Sequence, residues 1–375
     1  MLGNYGLIHQ VESLPVLIHQ QYEDMEPKAR KVLTTQEIYS VCRIVLTGCG
    51  DSYAAALSVK NAFASLTGMP TEAVPAVELS RTVENESFGF APNNPLVIAV
   101  SNSGRVARMN EAVCRAHKHG AFILAVTGSR DSPFAATANR IMDLSIPSFE
   151  SAPGTRSYLV SLMALLLIAI RIGEVRGRYT MDTAMNMRYD MLEQARQLEI
   201  MLPDLKKKML ALAQVWKKME AYDFIGTGME FGTAWYCHAK ILEQLGKYTF
   251  YQNSEDWLHT NLFLRRNTET ATVVFSDVRN RALGRTCELI EYAQKLKRPL
   301  LVVGDGVPDD IKVDSILTPR SQFFFNSCMT QYTPVSILAN YIANLIDETD
   351  GRGCEGVWSI ASGAKCICES KVEIL

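Results

Sequence analysis

The sequence predicts an α/β protein made of two tandem units, each a doubly wound, mostly parallel sheet flanked by helices. Three observations carry this. Short apolar runs that end in glycine or serine alternate with amphipathic helical stretches, the pattern of a parallel sheet covered on both faces. The alternation gives way mid-chain to almost pure helix and then restarts. Its landmarks recur at similar separations, Gly48 to Ser101 against Gly226 to Ser276 and Gly48 to Phe122 against Gly226 to Leu300, which argues for an internal duplication. At 375 residues the chain also exceeds what one hydrophobic core usually organises.

In chain order, the first strand is Arg43 to Gly50, RIVLTGCG. A tight turn follows, then a helix with Ala54, Ala55, Leu57, Val59, Ala62 and Phe63 at helical spacing. Pro95 to Ser101 is a second buried strand, with a Ser-Asn-Ser-Gly turn and a helix to about His119. Ala121 to Thr127 is a third, and Arg140 to Ser145 a fourth. Tyr158 to Ile170 is the most apolar stretch; it is shorter than the roughly 20 residues a bilayer requires and reads as a helix buried in a core or a subunit interface. Thr180 to Leu202, free of Pro and Gly, reads as a long connector that Pro203 breaks, with a further helix to Lys218. The second copy has strands at Tyr222 to Gly228, Thr272 to Ser276 and Pro299 to Gly304, and helices at Glu230 to Leu245 and Ala282 to Leu296. The division is a helical segment (1–40), a first α/β unit (41–178), a helical connector (179–219), a second α/β unit (220–348) and an irregular tail (349–375).

Composition excludes several function classes. Apolar residues at 47%, charged residues at 21% and a net charge of -2 give no footprint for nucleic acid. Nine scattered cysteines, an odd number in a large chain, fit reduced thiols in the cytoplasm. Cys366 and Cys368 lack CxxC spacing; on a strand both would pack on one face. The N-terminus shows no signal peptide, and no membrane association is expected. There is no GxxxxGK[ST] and no GxGxxG after a strand, so no nucleotide cofactor is expected. No HExxH occurs, and His117 and His119 point apart on a helix, so no metal is expected.

Three hydroxyl-rich sites fall at carboxyl ends of first-half strands: Ser52; Ser101, Asn102 and Ser103; and Thr155. Ligands of open parallel sheets bind at those ends, where helix N-termini offer unpaired N–H groups. Hydroxyls add donors, and glycine admits close approach. Any one of these residues taken alone also suits a helix N-cap. Together they fit a small phosphorylated ligand.

The motifs carry a resemblance. CGDSY at 49–53 resembles CGTSY of the isomerase half of glucosamine-6-phosphate synthase, VSNSG at 100–104 its SQSG loop, and GTRSYLVSL at 154–162 its STKAFT helix start. The resemblance implies two tandem SIS (sugar isomerase) domains in which Ser52, Ser101 and Ser103 bind phosphate, with Asn102 and Thr155 in the same loops. Two departures stand out. Arg105 and Val106 replace an acid and a threonine after the glycine, and Arg105 offers a cation in their place. Gly154 stands where the synthase has serine.

The second half lacks the serine loop, because Asp277-Val278-Arg279 follows Ser276. Lys240 and Glu243 share a helix face, which by pattern alone reads as a surface ion pair. His259 lies sixteen residues after Glu243. The resemblance implies that Glu243 and His259 are catalytic, that Lys240 matches the family's helix lysine, and that the imidazole acts at a subunit interface. The family's GELKHGP is here EDWLHTN, a poor fit. It also implies a C-terminal lysine at the sugar's anomeric carbon, for which Lys371 is preferred and Lys365 is the second candidate.

The chemistry expected is ring opening followed by a C1/C2 proton transfer. A histidine can shuttle the ring-oxygen proton, and a carboxylate raised by partial burial can carry the carbon proton through an enediol or enaminol. Phosphosugar isomerase and amino-sugar-phosphate isomerase/deaminase both fit. So does a fructosamine-6-phosphate deglycase of the fructoselysine or glucoselysine type, the KVE near the C-terminus being similar to that branch. Glutamine-dependent synthesis does not fit, since no cysteine precedes Cys42. A sensor that binds sugar phosphate without turnover is the reading from another class. The long apolar helix points to a homodimer or higher homo-oligomer.

Overall fold

The computed structural model describes residues 4–88, 94–308, 311–348 and 363–375. Three helices come first: α1 (Gly6–Glu12), α2 (Leu14–Lys31) and α3 (Thr35–Ser40). The last opens with a capping box, Thr34 accepting from Glu37 N–H while the Glu37 carboxylate accepts from Thr34 N–H. Then follow β1 (Ile44–Gly48), α4 (Asp51–Thr67), β2 (Thr71–Pro75), α5 (Ala76–Arg81), β3 (Leu96–Val100), α6 (Ala107–Lys118), β4 (Phe122–Thr127), α7 (Pro133–Thr137) and β5 (Arg140–Asp143). Their sheet has the order β2-β1-β3-β4-β5, with every pair parallel.

Two long helices, α8 (Thr155–Val175) and α9 (Met181–Trp216), lead to the second series. It runs β6 (Ala221–Ile225), α10 (Glu230–Leu245), β7 (Tyr248–Gln252), α11 (Ser254–Thr260), β8 (Thr270–Ser276), α12 (Leu283–Lys295), β9 (Leu300–Gly304), β10 (Ser315–Leu317), α13 (Thr333–Leu345) and α14 (Gly363–Cys368). The second sheet is ordered β10-β9-β8-β6-β7, again all parallel. Read from β7, this is the first sheet's order repeated, as the recurring landmarks predict. Helices α4 and α10, at corresponding places, both end on a left-handed glycine, Gly68 and Gly246.

The residues gather into two compact units interleaved along the chain. One holds the described residues of Met1–Leu17, Phe149–Thr155 and Asp190–Gly351; the other holds those of Ile18–Ser148, Arg156–Tyr189 and Arg352–Leu375. In the first-sheet unit, Val97, Ala99, Ile123 and Ala125 pack with Met109, Ala112 and Val113 of α6 and Phe134 of α7. In the second-sheet unit, Ile225, Val274 and Val302 pack with Trp257 of α11 and Leu289, Ile290 and Ala293 of α12. The central strands β1, β3, β4 and β8 are buried at every position, which is why they read as continuous apolar runs.

Three sequence expectations are corrected. Pro203 does not break the connector: α9 runs through it for 36 residues. Pro203 and Glu199, whose carbonyl loses its helical donor, are both exposed, so water can satisfy the freed oxygen. The buried stripe Leu198, Leu202, Leu205, Met209, Ala213 and Trp216 continues across the proline and holds the helix together. Second, only the length is revised for the apolar run: it lies within a 21-residue helix, α8, long and apolar enough to cross a membrane by length and composition, while the expected burial in a core holds, 83% of its most apolar window being buried inside the protein. Third, Cys366 and Cys368 lie on α14, not on a strand, so their spacing turns the side chains apart. The eight described cysteines are all free.

Candidate functional site

The first sheet's order reverses beside β1, so the crevice at the carboxyl ends of β1 and β3 is the topological switch point. A cavity of about 220 Å³ lies there, lined by Cys49, Asp51, Ser52, Val100, Ser101, Asn102, Ser103, Val106 and Met109. Four sequence-selected residues, Ser52, Ser101, Asn102 and Ser103, therefore share one cavity.

Local geometry explains why these residues converge. Strand β1 ends at Gly48, where a Cβ would come within 2.6 Å of the Ser52 backbone, so only glycine lets α4 start this close to the strand. Gly50, with φ +55°, is the N-cap of α4, and no side chain caps it. Ser52 thus lies inside the first turn and is not the cap. The β3 loop closes through Gly104 N–H to Ser101 O at 3.2 Å. Gly104 has φ +65°, and a Cβ there would sit 2.5 Å from Ser132. Helix α6 also starts without a side-chain cap, at Val106. Two helix N-termini lacking side-chain caps thus meet the cavity, with their orphan N–H groups and partial positive charge.

Ser101 is 3% exposed, and its hydroxyl is buried without a hydrogen-bond partner. Buried polar groups are nearly always paired, so an orphan hydroxyl lining a cavity is available to a water or a ligand oxygen. Ser103 is exposed and accepts weakly from Arg105 N–H at 3.4 Å. Burial pushes the Cys49 thiol up to about 11, with the charge of Arg108 pulling the other way. Asp51 also brings a carboxylate to the cavity.

Thr155 is placed differently. It is fully buried at the start of α8, its hydroxyl donating to Pro153 O and accepting from Tyr236 OH, both at 3.2 Å. Its N–H donates to Gln10 Oε1 at 3.1 Å. These polar atoms are engaged within the protein.

In the second-sheet unit, Glu243 lies on α10 with Oε2 2.6 Å from Lys240 Nζ. The pair is not the surface bridge that spacing alone suggests. Lys240 is 1% exposed, with its ammonium 4.9 Å from the Tyr236 ring centroid, while Glu243 is 43% exposed. The contact thus joins a buried ammonium to a half-exposed carboxylate. His259 lies on α11, exposed, and its Nε2 is 2.9 Å from Glu255 Oε1.

Lys371 lies in the C-terminal strap, exposed, with Nζ 2.5 Å from Glu373. The strap follows α6. Arg108 donates to Ser370 Oγ and to Lys371 O, and Glu373 N–H donates to Glu111 Oε2 at 2.7 Å. Arg81 bridges Glu111 and Glu373. Burial pushes the Glu111 carboxyl up, yet the Glu373 N–H, Arg81 and Arg108 outweigh it and hold the group below its ordinary range. The sequence signal for this anchor was Arg108 and Glu111 three apart on α6, indistinguishable from a surface pair. The side chain of Lys365 lies outside the described residues.

Two all-parallel five-stranded sheets, the first with a polar cavity at its switch point, place the chain among open α/β proteins. Residues 37–171, little more than a third of the chain, match the SIS domain family. The glutamine–fructose-6-phosphate aminotransferase [isomerizing] of Gloeobacter violaceus is 24% identical over 236 residues, 61% of this chain and 37% of that protein. The chain thus spans little more than a third of that relative's length. Among solved structures, the C-terminal domain of glucosamine-fructose-6-phosphate aminotransferase from Francisella tularensis superposes with a TM-score of 0.83 at 14% identity, covering 92% of this chain and 97% of that one. Tagatose-6-phosphate ketose/aldose isomerase from Escherichia coli gives 0.71 at 17% identity, covering 93% and 94%. At these identities the likeness is one of fold alone.

Proposed function

We propose that the protein is a cytoplasmic enzyme that opens the ring of a phosphorylated sugar and moves a proton between C1 and C2, as a phosphosugar isomerase or an amino-sugar-phosphate isomerase/deaminase. The observation that carries this is the orphaned Ser101 hydroxyl in a cavity set at two helix N-termini. Ser52, Ser101, Asn102 and Ser103 hold the phosphate, and Arg105 adds positive charge. Thr155 holds the start of α8. Glu243 carries the carbon proton, His259 serves the ring oxygen, and Lys371 attends the anomeric carbon. The protein works as a homo-oligomer without metal or cofactor.

Asp51 supports the amine-bearing substrates. A carboxylate lining the cavity suits a ligand that carries an ammonium beside its phosphate. The same argument sustains a deglycase that releases glucose 6-phosphate and an amine from a fructosamine 6-phosphate.

Incubation with glucosamine 6-phosphate, hexose 6-phosphates and a set of fructosamine 6-phosphates, followed by mass spectrometry, tests the proposal. Ammonia with fructose 6-phosphate selects the deaminase, ketose–aldose interchange selects the isomerase, and glucose 6-phosphate with a free amine selects the deglycase. Binding without turnover of any member refutes the enzymatic reading in favour of a sensor.

The phosphate assignment has its own check. Ser101→Ala with Ser103→Ala raises KM roughly tenfold or more, the loss of two hydrogen bonds to a charged group at about 1.5–3 kcal/mol each setting the upper range. Turnover at saturation changes little. A parent protein that binds phosphorylated and unphosphorylated sugar equally well would contradict the assignment.

A further inference from the structure

We propose that Glu255, held by Arg285, is a positioning residue for His259, an inference that rests on the catalytic role proposed above for that histidine. The two side chains lie four residues apart on α11, hence on one face. His259 Nε2 is 2.9 Å from Glu255 Oε1. An ionised carboxylate only accepts, so Nε2 must donate. The neutral ring is thereby fixed as its Nε2–H tautomer, and Nδ1 is left as the nitrogen able to take a proton.

The carboxylate is itself oriented. Arg285, on α12, donates from Nε to Glu255 Oε2 at 2.5 Å and from Nη2 to Oε1 at 3.1 Å, a two-pronged grip that fixes the carboxylate plane. The bonds from Arg285 and then His259 hold Glu255 below the usual carboxylate range, so it stays ionised.

An exposed trio of this kind is often incidental. Here the helix beneath it is immobilised. Trp257, fully buried on the opposite face of α11, donates from Nε1 to Asp223 Oδ2 at 3.2 Å, and the Arg298 guanidinium lies 5.3 Å from its ring centroid. Arg298 also donates to Asn261 Oδ1, just past the helix end, at 3.1 Å. Asn253 caps the start, accepting from Asp256 N–H at 2.9 Å. A seven-residue helix frays without such anchors. The helix that carries His259 is thus held by β6 and Arg298, and the carboxylate that meets its imidazole is held by α12.

The test uses the full chain labelled with nitrogen-15 histidine. Two-bond proton–nitrogen correlations report the tautomer of each of the six histidines, and the His259 signals are those missing from His259→Gln. The expected ring is Nε2–H in the parent and in Glu255→Gln, which keeps an acceptor, but a tautomer mixture in Glu255→Ala. With glucosamine 6-phosphate, or the panel member turned over in its place, Glu255→Ala lowers kcat roughly tenfold while KM stays within about twofold. Glu255→Gln restores most of the rate. A tautomer and kcat unchanged in Glu255→Ala overturn the positioning role, even where His259→Gln has lost turnover. Full turnover in His259→Gln removes the catalytic role of His259 instead, and the tautomer readout then decides alone whether Glu255 orients the ring.

Discussion

Replacing Glu243 by Gln lowers turnover of the sugar phosphate by about 100-fold or more while its Kd shifts only a few-fold. Glutamine matches glutamate in shape and keeps an oxygen that can accept from Lys240 Nζ, 2.6 Å away in the parent. The fold around the buried Lys240 is therefore retained. What glutamine cannot do is take a proton from carbon and return it. The loss should fall on kcat, because the serines proposed to hold the phosphate lie on other elements and are untouched by the change. Glu243→Ala is the wrong probe, since it removes a carboxylate from beside an ammonium that is 1% exposed and so confounds chemistry with stability. Steady-state rates together with isothermal titration of the same substrate separate the two quantities. A Glu243→Gln protein with parental kcat would take the carboxylate out of the mechanism.

Much of the fold was legible because its central strands announce themselves. Buried on both faces, β1, β3, β4, β8 and β9 leave apolar runs that no amphipathic helix or solvated loop imitates. Of the four edge strands, β5 was read from the sequence and the other three were silent. β2 is intermediate or exposed at every position, β7 likewise, and β10 buries only its middle residue. An edge strand has one neighbour and a solvated side, so its composition is that of a loop. Pro203 was misread for a related reason: a local rule about hydrogen bonding yielded to a buried stripe visible only over many turns of α9.

The candidate site divided in the same way. Ser52, Ser101 and Ser103 stood out because glycines lie near them: Gly48 where backbone approaches backbone, and Gly50 and Gly104 where φ is positive. The groups that orient catalytic candidates were not legible. Asp223 and Arg298 are 75 residues apart and meet only through the pairing of β6, β8 and β9. Glu255 was visible, but nothing local separates a glutamate that orients an imidazole from one that merely faces water. Lys240 shows the limit most plainly, since spacing three from Glu243 gives the pairing but not the burial of one partner alone.

The largest stability effect is expected at Asp223. Asp223→Ala costs about 3–5 kcal/mol, the range for breaking a buried pair by removing one member. The side chains of Arg298 and Asp223 are 0% and 6% exposed, with Nη1 2.8 Å from Oδ2. Removing the carboxylate strands a guanidinium and deprives the Trp257 N–H of its acceptor. The pair replaced whole, Asp223→Leu with Arg298→Met, should recover part of the loss but not all. Arg298 also serves Asn261, Asn267 and Thr272, and each polar group left unpaired costs about 1–3 kcal/mol. Urea midpoints of the two singles and the double give the coupling directly. The pH dependence has a definite sign. Burial pushes the Asp223 carboxyl above its ordinary 3.8, against the pull of Arg298 and the hydrogen bond from Trp257. The folded state then holds this proton more tightly than the unfolded chain. The group's contribution is full below that ordinary value and is lost as pH rises through the folded pKa. Asp223→Asn has no such proton, so the parent loses ground against it over that window. A parent that instead gains on Asp223→Asn as pH rises would mean that Arg298, not burial, governs the carboxyl, and that the pair beneath α11 stabilises the fold in its own right.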